Sequence, residues 1–330
     1  MADSDPVEDV ADEDVDLYDI TTWERRTRLD RVAAGVYGLI VRAAWTIVVL
    51  TAFGILVGIG GLSALVDPQV GVLTVFSAIP AFGLAAYVYL SDPTSAEPLR
   101  VLGATFLLGI LTASFAAVGN SLLQPLFAPL GFLGMTAFFF VVVGPVEEGV
   151  KLLAVRLYAY GNDSFNTVVD GAVYGAMAGL GFATVENSIY IARQVGEVGM
   201  GAGLAALVGA GGSITAVRAL AGPGHVIYSA IAGYYLGLAK FNLGQRGPIV
   251  VKGLLVAAFV HATYNATASI GSGLIAGLLD VPPLVGFLGY VLVYDGFWGL
   301  YLLRKIHRYT ATFDRFRAGS VEADSAEFDP

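Results

Sequence analysis

The chain contains no cysteine, which excludes a disulfide framework, a thiol nucleophile and a thiolate-held metal centre. Charge is scarce as well: 14% of the residues are Asp, Glu, Lys or Arg, against about 25% in a soluble domain. Lysine occurs four times and histidine three times in 330 residues. Several chemical signatures are missing too. There is no Gly-rich phosphate loop of the Walker type, so ATP-driven work is not expected. No serine sits in a Gly-x-Ser-x-Gly turn, and no helix carries His-Glu-x-x-His, which removes a zincin-type site. No nucleic-acid partner is expected.

What is present is apolar. Hydrophobic residues make up 56% of the chain, 42 residues are glycine, and the mean hydropathy is +0.72. Of the 27 acidic residues, 11 fall in residues 1–30 and 5 in residues 310–330, so the net charge of −9 comes mainly from the tails. The first 20 residues carry nine acids and lack the apolar run of a signal peptide. The expected organisation is an acidic, disordered cytoplasmic tail (1–34), one membrane domain (35–308) and a second acidic tail (309–330).

Spanning the hydrocarbon takes roughly 20 apolar residues. Eight stretches qualify: 38–66, 71–90, 99–120, 132–157, 168–192, 217–240, 250–272 and 283–304. Arg25, Arg26, Arg28 and Arg31 place the N-terminus inside. Arg304, Lys305, Arg308, Arg315 and Arg317 place the C-terminus inside. Both ends inside requires an even number of spans, so the Gly-rich stretch 199–215 is expected to be external or re-entrant. The fold class is therefore all-α: a polytopic helical bundle of about eight spans, multi-pass in the cell membrane, with both termini cytoplasmic.

Ionisable residues inside such spans each cost at least ~2.5–3.5 kcal/mol at the bilayer centre, which makes function their default reading. The fourth span holds Glu147, Glu148 and Lys151, the fifth Asp170 and Glu186, the sixth His225 and the seventh His261. Adjacent helical residues point about 100° apart, so the two glutamates cannot face one partner. Lys151 is four residues after Glu147 and three after Glu148, within reach of either. One glutamate is expected to pair with it while the other faces a polar cavity as a general base or acid. Imidazole and carboxylate are also the ligands of catalytic zinc, which keeps one position open for water. At ~1.5 Å per residue, Glu148, Glu186, His225 and His261 all reach similar depth. Glu186, His225 and His261 are the expected metal donors, with Zn2+ the expected ion. Asn265 lies one turn after His261 and Tyr190 one turn after Glu186. Asn187 adjoins Glu186, and Arg218 stands at the outer end of the sixth span, free either to steady a carbonyl or to anchor the helix. Asp170-Gly171 reads as a helix start; Asp295 has no evident role.

Four motifs in order on successive spans carry a resemblance. Glu147-Glu148-x-x-Lys151 comes first. Asp170-Gly171-x-x-Tyr174-Gly175 follows, running into Phe182-x-x-x-Glu186-Asn187-x-x-Tyr190. Then come His225 and, last, His261-Ala262-x-x-Asn265. The set, within residues 130–270, resembles the PrsW family of membrane-embedded proteases, related to the CAAX prenyl endopeptidases. In the wider superfamily the second motif usually ends in histidine; here it ends in Glu186, as in PrsW-type members. The resemblance implies hydrolysis of a peptide bond in a membrane protein or membrane-anchored peptide. Water would attack the scissile carbonyl, Glu148 (or Glu147) would move its proton, and Asn265 or Arg218 would stabilise the oxyanion. Whether a metal on Glu186, His225 and His261 activates that water, or glutamates act alone, stays open. Two other classes compete: a secondary transporter, which would usually show paired repeats and shows none here, and a non-catalytic membrane scaffold. The oligomeric state is not readable.

Overall fold

A computed structural model describes residue 7 and residues 15–92, 97–198 and 204–327. It is helical throughout. The one extended feature among the described residues is an isolated bridge between Tyr18 and Thr22. The chain divides into two compact units, residues 1–53 and 54–330.

In the first unit, Thr27 and Asp30 close a reciprocal cap. The Thr27 amide donates to Asp30 Oδ2 at 2.6 Å, and the Asp30 amide donates to Thr27 Oγ1 at 3.1 Å. This capping box satisfies two donors that a helix start would otherwise leave bare, and α1 (Arg28–Gly58) begins there. The helix thus starts inside the stretch expected to be an unstructured tail.

The second unit holds a single turn, Ser63–Val66, and then the helices that build the site: α2 (Pro68–Leu90), α3 (Leu99–Phe127), α4 (Gly131–Phe138), α5 (Gly144–Leu157), α6 (Val168–Val198), α7 (Leu204–Lys240), α8 (Arg246–Leu279) and α9 (Pro283–Glu327). Asp67 accepts from the amides of Gln69 and Val70 to start α2. Thr167 and Asp170 repeat the capping box at α6, where both the Asn166 and Thr167 amides donate to Asp170 Oδ2.

Six helical stretches among the described residues are long and apolar enough to cross a membrane. One of them, Leu99–Gly161, runs for 63 residues and contains two antiparallel legs, α3 and α4–α5. Gly131 (φ +60°) marks the reversal, in left-handed backbone that favours glycine. The protein is a multi-pass membrane protein. Seven of the eight apolar stretches fall on one long helix or on the α4–α5 run; the first, 38–66, runs past the end of α1 at Gly58 into the turn Ser63–Val66. Two further boundaries differ from expectation. Residues 199–203 lie outside the described residues, but α7 begins at Leu204, well before the expected 217. Glycine weakens a helix by only ~1 kcal/mol, while an apolar medium forbids unpaired backbone, so a Gly-rich stretch without proline stays helical. At the other end α9 continues past Tyr309 to Glu327, through a stretch that contains no proline.

Helices α6 and α7 pack closest. A Cβ on Gly175 would lie 2.3 Å from the Ser229 carbonyl oxygen, and one on Gly179 would lie 2.4 Å from that of His225. The absence of side chains there is what brings the backbones together, the small-residue packing of membrane helices. Between α4 and α5 the chain widens into a π turn, Phe139–Val143. Pro145 supplies no N–H to the Val141 carbonyl, and its ring would strike that carbonyl in a regular helix. The wider turn accommodates it just ahead of the two glutamates.

Candidate active site

Six helices, α2, α3 and α5 to α8, contribute the polar cluster. On α5, Lys151 Nζ donates to Glu148 Oε1 at 2.6 Å and lies 4.0 Å from Glu147 Oε2. It also lies 3.0 Å from His225 Nδ1 on α7 and 4.2 Å from the centre of the Phe182 ring on α6. His261 on α8 brings Nδ1 to 2.8 Å from Glu148 Oε1, and its Nε2 stands 3.7 Å from Glu147 Oε2. His225 Nε2 is 2.9 Å from Glu186 Oε2 on α6. Arg218 closes the far side. Its Nη2 donates to Glu186 Oε2 at 2.6 Å, its Nε donates to Asn187 Oδ1 at 2.7 Å, and its guanidinium lies 4.5 Å from the centre of the Tyr190 ring. Asn187 in turn donates to Ser77 Oγ on α2 at 3.0 Å.

The two glutamates have different surroundings. Glu148 is 0% exposed, and Lys151, His261 and Ser229 (3.3 Å) all reach its carboxylate. Glu147 accepts from Asn120 Nδ2 of α3 at 2.9 Å through Oε1, while its buried Oε2 has no hydrogen-bond partner. Glu147 lines a cavity of about 730 Å³, whose walls also include Glu186, Arg218, His225, His261 and Asn265. Neither Glu148 nor Lys151 reaches that wall. The spacing along α5 leaves open which glutamate takes the lysine; in the structure it is Glu148, and Glu147 faces the cavity.

Glu147, His225 and His261 each offer one donor atom, and these lie within 4.8 Å of one another. Donors bonded at ~2 Å to one tetrahedral ion stand about 3.3 Å apart, so the three would close in by up to about 1.5 Å to share one. The orphaned Oε2 of Glu147 fits that use. So does His261: a proton on Nδ1, donated to Glu148, leaves Nε2 with its lone pair toward Glu147, the carboxylate–histidine arrangement of metal ligands. The converging group has Glu147 in the place the sequence reading assigns to Glu186, because Arg218 and the His225 Nε2 both hold the Glu186 carboxylate.

Several participants carry no motif. Asn120 is one of two carboxamides, with Gln124, in the otherwise apolar α3, a signal of the same kind as the buried glutamates. Tyr228, one turn after His225, lays its ring 5.4 Å from that of His261. Its hydroxyl donates at 2.6 Å to Asp295 of α9, the residue without an evident role. Two orphans remain beside this pair, Asp295 Oδ2 and the Tyr264 hydroxyl.

Comparison with known proteins shows the family to which the chain belongs. The family described as "PrsW family intramembrane metalloprotease" matches residues 97–297. Protease PrsW of Geobacillus kaustophilus is 32% identical over 187 residues, covering 56% of this chain and 75% of that protein. Protease PrsW of Halalkalibacterium halodurans is 30% identical over 188 residues (57% and 79%), and that of Bacillus subtilis 30% over 190 residues (56% and 78%). No solved structure matches the chain at a significant level. The matched region includes every helix that contributes a polar side chain to the cluster except α2, and the chain belongs to the PrsW family of membrane-embedded proteases.

Proposed function

We propose that this protein is an intramembrane endopeptidase of the cell membrane, both termini cytoplasmic, that hydrolyses a peptide bond of a membrane-protein or membrane-anchored substrate. The observation that carries the reading is the unpartnered Glu147 Oε2, set beside two imidazoles on the wall of the cavity. A buried site favours clients that arrive laterally through the bilayer.

Glu147, His225 and His261 would hold a divalent metal, Zn2+ by the chemistry of the donors. Bound there, it would supply Lewis acidity toward a carbonyl oxygen and lower the pKa of a water. Glu186, oriented by Arg218, is then the carboxylate on the wall that holds no metal. It takes a proton from the attacking water and returns it to the leaving amine as the C–N bond breaks, leaving a new carboxylate and a new amine. Asn265, also on the wall, donates to the oxyanion. Glu148 acts behind the wall: it fixes the His261 tautomer and holds Lys151. Arg218, by its contacts with Glu186 and Asn187, positions the base.

One contact favours a metal-free alternative. An ammonium at Lys151, 3.0 Å from His225 Nδ1, donates to that nitrogen and places the imidazole proton on Nε2, which donates to Glu186. A nitrogen that carries a proton has no lone pair for a metal. In that reading Glu147 itself takes the proton of water, and His261 donates to the oxyanion. Metal content of the purified protein separates the two: wild type carrying metal that His225→Ala plus His261→Ala loses supports the first, and metal-free wild type supports the second. Cleavage of a co-expressed single-span substrate tests both. If Glu147→Gln and His261→Ala each leave cleavage intact, the assignment fails.

A further inference from the structure

A second acidic cluster lies at the other end of α6. Asp170 precedes Glu186 by 16 residues, or ~24 Å along the helix at ~1.5 Å per residue, so this cluster is separate from the candidate active site. Asp92 follows the last turn of α2, Glu97 precedes α3, and Asp170 lies in the first turn of α6. One carboxylate oxygen from each lies within 4.8 Å of the other two.

Burial sets this trio apart from a solvated patch of acids. Glu97 is 3% exposed and Asp170 1%. Both oxygens of Glu97 are buried and neither has a hydrogen-bond partner. Asp170 Oδ2 accepts from the Asn166 and Thr167 amides at 2.6 and 2.8 Å, and its Oδ1 accepts from the Thr167 hydroxyl. Among the described residues, no ion pair involves Glu97 or Asp170. The Lys240 ammonium, in the field of Asp170, donates to the carbonyls of Tyr160 and Phe165 at 2.8 and 2.7 Å. An uncompensated buried carboxylate is costly, and coordination of a metal is one of the few ways proteins keep one.

We propose that Asp92, Glu97 and Asp170 bind a hard divalent cation of the Mg2+, Ca2+ or Mn2+ class, which ties the α2–α3 connection to the start of α6. The donors are all oxygen, as such ions require, and they lie within 4.8 Å of one another, no more than two opposed bonds of ~2.4 Å. Glu97 supplies the arm that nothing else in the fold uses. The capping box occupies both lone pairs of Asp170 Oδ2 but leaves Oδ1 a further one, so the cap and the cation coexist. The rival way to neutralise the trio is a proton. Burial and the facing Asp92 carboxyl push the Glu97 carboxyl up to about 9, and a proton shared by that pair needs no ion.

The test uses full-length protein in detergent, stripped with chelator and carrying His225→Ala and His261→Ala to remove the imidazole donors of the candidate active site. Mn2+ is titrated and bound ion is counted by its EPR signal, with Mg2+ and Ca2+ as competitors. Saturable binding of one equivalent, displaced by the competitors and accompanied by a higher unfolding temperature, is expected. The same protein with Glu97→Gln, a neutral isostere whose amide can donate to Asp92, is expected to lose both the bound equivalent and the shift. Absence of saturable Mn2+ binding, or equal binding and shift in Glu97→Gln, overturns the proposal. An unfolding temperature that responds to pH but not to cation identifies the shared proton and overturns it equally.

Discussion

Replacing Gly179 by alanine adds one methyl group at the seam between α6 and α7. The new Cβ would lie 2.4 Å from the His225 carbonyl oxygen and 2.9 Å from both the carbonyl carbon and Ser229 Oγ, where ordinary contact begins at 3.4 Å. Two of these three atoms are backbone, so no rotamer change relieves the clash. The helices must part by about 1 Å, a small strain that close-packed interiors transmit rather than absorb. The residue struck is also the one that carries the imidazole. His225 Nε2 stands 2.9 Å from Glu186 Oε2 and Nδ1 stands 3.0 Å from Lys151 Nζ, and both contacts lengthen together. A misplacement of ~1 Å can cost ~10²-fold in rate, and overpacking typically costs ~1–3 kcal/mol of stability. The expected result is a fall of roughly that size in cleavage of a co-expressed single-span substrate, with a measurable drop in unfolding temperature in detergent. Gly103→Ala on α3 is the control, because a Cβ there meets nothing within 4 Å. Cleavage by Gly179→Ala at the wild-type rate would refute the claim that this seam sets the histidine.

The two glutamates should fail in different ways. Glu147→Gln is expected to abolish cleavage with little change in unfolding temperature, since its Oε2 makes no hydrogen bond and its nearest cation, Lys151, is 4.0 Å away. Glu148→Gln removes one side of a buried ion pair with Lys151, a loss of ~3–5 kcal/mol, so its unfolding temperature should fall sharply and the yield of folded protein with it. Asn120→Ala deletes the one hydrogen bond described for the Glu147 carboxylate; bonds to charged groups are worth ~1.5–3 kcal/mol, and a tenfold or greater loss of kcat at unchanged fold is expected. Arg218→Lys keeps the charge but cannot reach Glu186 and Asn187 at once, since only the planar fork presents both donors. Its cleavage rate should fall well below that of Arg193→Lys, a neighbouring cavity-wall arginine.

The helical class was legible because lipid forces it: apolar stretches of spanning length with few charges have no other stable backbone. The acidic and histidine members of the site were legible for a related reason, since each is expensive where it lies. Periodicity along one helix correctly put Lys151 within reach of both glutamates. Which of them it holds depends on rotation set by α8, whose His261 takes the same Glu148 oxygen, and no spacing within α5 contains that. Glu186 reads as an equal partner of the histidines, and nothing in its own helix shows that Arg218, 32 residues later, donates to its Oε2. Tyr228 and Ser229 were hidden because tyrosine and serine are unremarkable in membrane helices. Asp295 was visible as an expensive residue, but its partner lies on another helix 67 residues away. The ends of α7 and α9 escaped for a different reason: hydropathy marks where lipid begins, and a helix need not stop there.

The π turn at Phe139–Val143 has a consequence for how the glutamate pair can be altered. Successive residues of a helix are displaced by about 100° around its axis, and Glu147 and Glu148 are successive. Deleting one residue from the turn would, viewed from α4, bring Glu148 into the direction Glu147 now takes and carry Lys151 round with it. Both carboxylates would survive in composition and in order, yet Glu147 would have turned away from Asn120 and His261, and Glu148 and Lys151 would have left their present places behind the wall. Single-residue insertions and deletions in this stretch therefore act as a rotary selector of which acid is solvated. A chain can keep the Glu-Glu pair intact and still lose its chemistry several residues upstream.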